Sequence, residues 1–296
     1  MRWWRQAWLL LGLLVLAGSA VAKGPLYLWE LSDEQGRPRA WLYGTIHVCD
    51  AGCFPLPGRV RTALAEADSL GLELDPEDPA LSPRLLQASL LPAGRRLDDM
   101  LSPDLRFRLA RAVTRVGLSP DAVQRMQPWM VGTLLTLQAA QRAGLGTSQG
   151  VDLWLARTAR ARGQTVWALE TVDRQVSAMG AGGDSAQVAS LAEVVGLIER
   201  DEAEPYFRRL LMAWRRGDSL AVDRMLREEA SVEAMTPMLA DLLDSRNREM
   251  VEAIVARLRS GRRPFIAVGA GHFGGPKGLL AMLVEKGFRV RQVSEE

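Results

Sequence analysis

The feature that most constrains this chain is a pair of matching segments more than two hundred residues apart. Trp41-Leu-Tyr-Gly44-Thr-Ile-His47 and Phe265-Ile-Ala-Val-Gly269-Ala-Gly-His272 each read as an apolar strand that reaches a glycine and then releases a histidine. His47 and His272 are the two histidines of the sequence, and each has Gly three residues before it. An unbroken apolar run suits a strand covered on both faces, the habit of sheets flanked by helices. A glycine at each strand end predicts a tight backbone turn there. The two loops are therefore read as halves of one site, brought together by the fold.

The remaining elements follow from patterning. Leu26 to Leu31 and Ala40 to Tyr43, separated by the turn cluster Ser32–Pro38, predict a β-hairpin. Pro57 to Ala67 has helical spacing, and Ser69 to Leu74 alternates as a strand with Glu73 near its end. From Arg84 to Ala161 the signals are helical, with Ser102-Pro and Ser119-Pro as helix starts and another helix from Pro128 to Arg142. Thr165 to Leu169 predicts a strand with Glu170 at its end. Asp173 to Arg259 is almost wholly helical, with breaks expected at Gly180–Asp184, Glu204-Pro205 and Gly217–Ser219. A strand at Pro264–Val268, a glycine-rich loop at Gly269–Pro276, a helix at Lys277–Lys286 and a strand at Phe288–Val293 complete the chain. The fold class is α/β: a mixed β-sheet with flanking helices and a large, mostly helical insertion, about 84–260, forming a cover over the site.

Residues 1–22 carry the pattern of a secretory signal peptide: basic Met1–Arg5, apolar Trp8–Leu16 and the small-residue sequence Ala20-Val-Ala22. The expected location is outside the cytoplasm, periplasmic or secreted, with no stable membrane span after cleavage. Residues 23–296 then form a single domain. Removing Arg2 and Arg5 leaves 35 Lys+Arg against 35 Asp+Glu, no footprint for nucleic acid. Cys49 and Cys53 lie in the His47 loop, and in an exported protein two close cysteines pair as a disulfide. The competing reading makes them zinc ligands with His47.

Four strand ends deliver polar side chains: His47, Glu73, Glu170 and His272. In open α/β sheets ligands sit outside the carboxyl ends of the strands, so parallel neighbours would let these four converge. Two imidazoles and a carboxylate suit a catalytic metal centre, and equally a metal-free hydrolysis in which one His is base and the other acid. Plainer readings stand beside these. A strand-end His is commonly a hydrogen-bonded structural residue, Glu73 a simple strand terminus, and Glu170 the first-turn acid of the next helix. Arg246 and Asn247 are either site groups or the solvated start of a helix. The loop after Gly269 lacks the spacing of a phosphate or dinucleotide loop.

Three segments resemble the TraB/GumN (TraB/PrgY/GumN) family, related to Tiki-type metalloproteases. They are Leu42-Tyr-Gly44-Thr-Ile-His47-Val with Cys49 and Cys53, Leu72-Glu73-Leu, and Val268-Gly269-Ala-Gly-His272-Phe-x-Gly-x-x-Gly278-Leu-Leu. Gly150-Val-Asp152, Leu169-Glu170-Thr with Gln175, and Arg246-Asn247-x-x-Met250 support the match. The resemblance implies a divalent-metal site (Mn, Co or Zn) built from His47, Glu73 and His272, with Arg246 and Asn247 close by. It implies a peptidase-like hydrolase acting on a peptide or small-molecule substrate. Pheromone-binding members imply the alternative of peptide or small-ligand sequestration without turnover, and more distant relatives the handling of haem.

Overall fold

The computed structural model describes residues 24–146, 150–229 and 233–295. The expected signal peptide lies outside the described residues, as do three positions of the Gly144–Gly150 loop. Six strands form one mixed sheet: β1 Pro25–Ser32, β2 Pro38–Thr45, β3 Ser69–Leu72, β4 Thr165–Ala168, β5 Phe265–Gly269 and β6 Arg289–Ser294. Their order is β4-β3-β5-β2-β1-β6. Strands β4, β3, β5 and β2 are mutually parallel, whereas β1 runs antiparallel to both β2 and β6.

The order explains how residues remote in sequence meet. Strand β2 leads through helix α1 (Gly58–Glu66) to β3, but these two strands are not neighbours. Strand β5, nearly two hundred residues further on, inserts between them, pairing Thr45 with Gly269 on one side and Leu72 with Ala267 on the other. Phe265, Ile266, Ala267 and Val268 are fully buried, as a central strand covered on both faces requires. At roughly 1.5–3 kcal/mol for each large apolar side chain, that burial anchors the sheet. Edge strand β6 instead alternates exposed Arg289 and Arg291 with inward residues, a charged edge that discourages further pairing.

The middle of the chain supplies most helices: α2 Leu81–Ala88, α3 Pro103–Arg115, α4 Pro128–Arg142, α5 Val151–Ala161, α6 Val172–Met179, α7 Gly183–Glu199, α8 Ala203–Arg215, α9 Ser219–Glu229, α10 Thr236–Leu239 and α11 Arg246–Arg259. Helix α12, Leu279–Glu285, precedes β6. Part of this stretch has its own core, in which Leu105, Leu109 and Val113 pack with Val131, Leu135, Leu191 and Val195. The α/β class and the mixed sheet expected from the sequence are present.

Two local expectations are corrected. Pro205 does not break a helix; it is the third residue of α8, where no intrahelical donor is needed. The break falls earlier, at Arg200–Glu202, where Asp201 adopts φ 56°. Ser119 opens only a 3₁₀ turn, Pro120–Val123, and its side chain makes no cap bond.

Candidate active site

All four parallel strands end on the same edge of the sheet, and each hands the chain to a polar residue there. Glu73 follows β3, and its carbonyl accepts from the Glu170 amide at 3.2 Å, which aligns the end of β4 beside it. The Glu73 carboxylate reaches the other way and accepts from the Gly269 amide at 2.6 Å, at the end of β5. Helix α11 closes the cluster from its first turn. A π-helical turn, Ala240–Ser245, runs directly into it; such turns recur at functional sites.

Arg246 and Asn247 are buried, at 3% and 1% exposure, so the solvated-helix reading of this pair is wrong. The Arg246 guanidinium lies between two carboxylates. Its Nε donates to Glu170 Oε2 at 2.8 Å, and its Nη2 donates to Glu170 Oε1 and to Glu73 Oε2. Its Nη1 donates to the Leu242 carbonyl at 2.9 Å and lies 3.3 Å from His272 Nε2. Glu170 is thus no first-turn acid: α6 begins after it, capped by the Thr171 side chain. Gln175 bridges the two acids from α6, 3.4 Å from Glu73 Oε2 and 3.3 Å from Glu170 Oε1.

The bonding around His272 fixes its tautomer. Asn247 Nδ2 donates to the Lys277 carbonyl at 2.7 Å, so its Oδ1 is the atom facing His272 Nδ1 at 2.6 Å. An amide oxygen only accepts, so Nδ1 carries the proton and Nε2 presents a lone pair. That lone pair faces Arg246 Nη1 and lies 3.9 Å from Glu73 Oε2. Lys277 is held in turn by Asp244 at 2.8 Å.

His47 stands at the rim of this cluster, its side chain 72% exposed. Its Nδ1 lies 3.0 Å from Asp152 Oδ2 in the first turn of α5. The backbones are stapled as well: the Val151 amide donates to the Ile46 carbonyl at 3.2 Å. Cys49 and Gly146 exchange both backbone bonds. Cys49 and Cys53 form a disulfide and are buried, and Arg215 pairs with Asp50 across the same loop. The reading of these thiols as zinc ligands is therefore corrected: both sulfurs are consumed in the disulfide. Among the described residues, Cys49, Asp50 and Cys53 are also the one group of three His, Cys, Asp or Glu whose ligand atoms lie within 4.8 Å of one another. His47, Glu73 and His272 share the sheet edge without being drawn that tightly together.

The glycines before the histidines serve a different purpose from tight turning. Neither Gly44 nor Gly269 has a positive φ. A Cβ on Gly44 would lie 2.0 Å from the Tyr27 ring, whose hydroxyl donates to the Ala270 carbonyl at 2.8 Å. A Cβ on Gly269 would lie 2.9 Å from Glu73 Oε1. Both glycines clear space for groups that hold the site.

The electrostatics follow from this packing. Burial opposes ionisation of Glu73, but the neighbouring His272, Arg246 and His47 side chains hold its carboxyl down to about 2. Burial pushes His272 down to about 4, so at neutral pH it is uncharged, and Arg246, His47 and the Gly269 amide keep Glu73 ionised. Burial raises Glu170 despite its bonds to Arg246. The Asp152 carboxylate raises His47, and water around the exposed ring screens part of that attraction. In the sequence Asp152 stands only within the supporting motif Gly150-Val-Asp152; its contact with His47 arises because the loop after β2 and the start of α5 meet in space.

The residues fit a divalent ion on chemical grounds. His47 and His272 both engage an oxygen through Nδ1, the usual outer support of metal-bound imidazole, while the His272 Nε2 lone pair faces Arg246 Nη1 at 3.3 Å. Glu73 adds an ionised carboxylate, so the three side chains supply the nitrogen and oxygen donor types that a divalent ion takes.

The TraB/PrgY/gumN family model matches residues 27–292. YbaP of Escherichia coli is 28% identical over 160 residues, covering 53% of this chain and 59% of that protein. Metalloprotease TIKI1 of Danio rerio is 26% identical over 315 residues, covering 89% of this chain and 62% of that protein. Metalloprotease TIKI1 of Homo sapiens is 24% identical over 318 residues, covering 89% and 61%. The chain thus spans about three fifths of the length of these relatives. No solved structure matches it. With the family model reaching all six strands and every residue of the cluster, the chain belongs to the TraB/PrgY/gumN family.

Proposed function

We propose that this protein is an exported, divalent-metal-dependent hydrolase of peptidase-like character. The observation that carries the reading is the matched support of the two imidazoles: Asp152 on His47 Nδ1 and Asn247 on His272 Nδ1, at the ends of adjacent parallel strands with Glu73 alongside. Likeness to proteins named metalloproteases over 89% of the chain supports the reaction class.

In this reading His47 and His272 would hold the ion through Nε2, Glu73 would supply the carboxylate, and Arg246 Nη1 would give up its contact with His272 Nε2. The ion, when bound, activates water and polarises an amide or ester carbonyl. Arg246 helps keep Glu73 ionised and supplies fixed positive charge where negative charge develops on the carbonyl oxygen. Asn247 keeps His272 in the tautomer with Nε2 unprotonated. Glu170 balances the charge of Arg246 and fixes its guanidinium by accepting from both Nε and Nη2. The insertion between β3 and β5 acts as the cover that limits water access.

Export is supported by the signal-peptide pattern of residues 1–22 and by the Cys49–Cys53 disulfide. Among the described residues no helix is long and apolar enough to cross a membrane. The test is metal analysis of purified protein followed by a peptide-library cleavage assay, with His47→Ala and His272→Ala as controls. Cleavage that needs added Mn²⁺, Co²⁺ or Zn²⁺ and both histidines is expected. A metal-free, inactive protein that still binds peptide would replace this reading with sequestration.

A further inference from the structure

We infer that Asp152 is a positioning residue that orients His47 for ligand binding; the metal half of this inference rests on the function proposed above. Three observations carry it. The Asp152 carboxylate lies 3.0 Å from His47 Nδ1, the nitrogen that must be occupied if Nε2 is to face the site. His47 otherwise stands in solvent, its side chain 72% exposed, so packing does not hold the ring as it holds the buried His272. The two side chains are also registered through their backbones: Ile46, before His47, accepts from the amide of Val151, before Asp152.

A second pair of bonds, between Cys49 and Gly146, lies on the other side of His47. The His47 loop is thereby fixed to the first residue of α5 and to Gly146 before it, and Asp152 itself is largely shielded, at 21% side-chain exposure. Its counterpart on the buried histidine is the neutral Asn247. The difference has a physical reason. An amide suffices where enclosure already restricts the ring, whereas an exposed ring needs the stronger, charge-assisted bond that a carboxylate provides. A lone acid in the first turn of a helix would be read as support for the helix dipole, but the 3.0 Å bond to an imidazole 105 residues away in the chain gives it a second partner.

The test has two independent arms, both using the full mature chain. With only two histidines, ¹³C-labelled histidine gives two ring spin systems, assigned with His272→Gln. In the metal-free protein the His47 ring is expected to have order close to rigid backbone, and Asp152→Ala to lower its order parameter below about 0.6. Asp152→Asn, which keeps an acceptor oxygen, restores most of that order. An unchanged ring order in Asp152→Ala overturns the inference whether or not metal binds. The second arm measures Mn²⁺ and Zn²⁺ affinity by equilibrium dialysis. Asp152→Ala is expected to weaken binding by about 10- to 100-fold, with Asp152→Asn between it and wild type. If His47→Ala abolishes binding while Asp152→Ala binds as wild type does, Asp152 has no positioning role and the metal reading stands. If His47→Ala leaves binding intact, the metal reading fails and the ring-order arm alone decides for or against Asp152. Circular dichroism on each variant, with Asp152→Asn as the helix-preserving control, separates loss of position from loss of fold.

Discussion

Arg246 is the single cation between two buried acids, and replacing it with Met should expose how the candidate site is held. Arg246 Nη2 contacts both Glu73 and Glu170, which sets those carboxylates no more than about 5 Å apart. At an effective dielectric of about 20, two unit charges at about 5 Å repel by about 3 kcal/mol. The side chains of Glu73 and Glu170 are 12% and 4% exposed, so water cannot replace the guanidinium freely. Removing one partner of a buried ion cluster typically costs about 3–5 kcal/mol, a large part of a domain's usual stability of about 5–15 kcal/mol. The loss should depend on pH. Without Arg246 the Glu73 carboxyl loses a charge that holds it below the unfolded value near 4.3, and the Glu170 carboxyl, already raised by burial, rises further. The variant's deficit is then greatest above that raised pKa and shrinks as pH falls through it. Urea unfolding followed by tryptophan fluorescence, with the six Trp of residues 23–296 as reporters, measures this at pH 8 and pH 5. Arg246→Met with Glu170→Gln should recover part of the loss at pH 8. A deficit under about 1 kcal/mol at pH 8, or one that grows on acidification, refutes the reasoning.

Gly44→Ala should destabilise the protein by about 1–3 kcal/mol, because its Cβ would fall 2.0 Å from the Tyr27 ring; a companion Tyr27→Ala background should accept it more easily in thermal melts. Acidification should weaken the fold through His272, which burial pushes down to about 4. Its contribution is complete above the unfolded pKa near 6.5 and is lost as pH falls through about 4, so His272→Gln should flatten the dependence of urea midpoints across that window. Replacing Cys49 and Cys53 together with Ala opens a five-residue loop and should cost about 2 kcal/mol by the loop-entropy relation. Reducing agent should lower the melting temperature of wild type but not of that double variant.

The strands and the site residues were legible because their signals are local. Phe265–Val268 is a short apolar run bounded by Pro264 and Gly269, and it folds as the central strand the pattern describes. Glu73, Glu170, His47 and His272 sit at strand ends in the sequence and on one sheet edge in space. What stayed hidden depends on tertiary contact. The burial of Arg246 and Asn247 cannot be read from a charged helix start, because only the ends of β3 and β4 supply the acids that make burial tolerable. Gly44 reads as a turn residue until the Tyr27 ring is seen to occupy the space of its missing side chain. Asp152 looks like an ordinary first-turn acid until α5 is stapled to the His47 loop. Pro205 misled for a local reason: a proline marks a break inside a helix but a start within the first turn.

The central claim is that the two imidazoles bind one ion, and elemental analysis tests it most directly. Wild type, His47→Ala and His272→Ala should be stripped with chelator, dialysed against Mn²⁺ or Zn²⁺ and measured by inductively coupled plasma mass spectrometry. The account predicts about one ion per wild-type chain and a loss of at least about tenfold in either variant. Equal metal content in all three, or none in wild type, would contradict it.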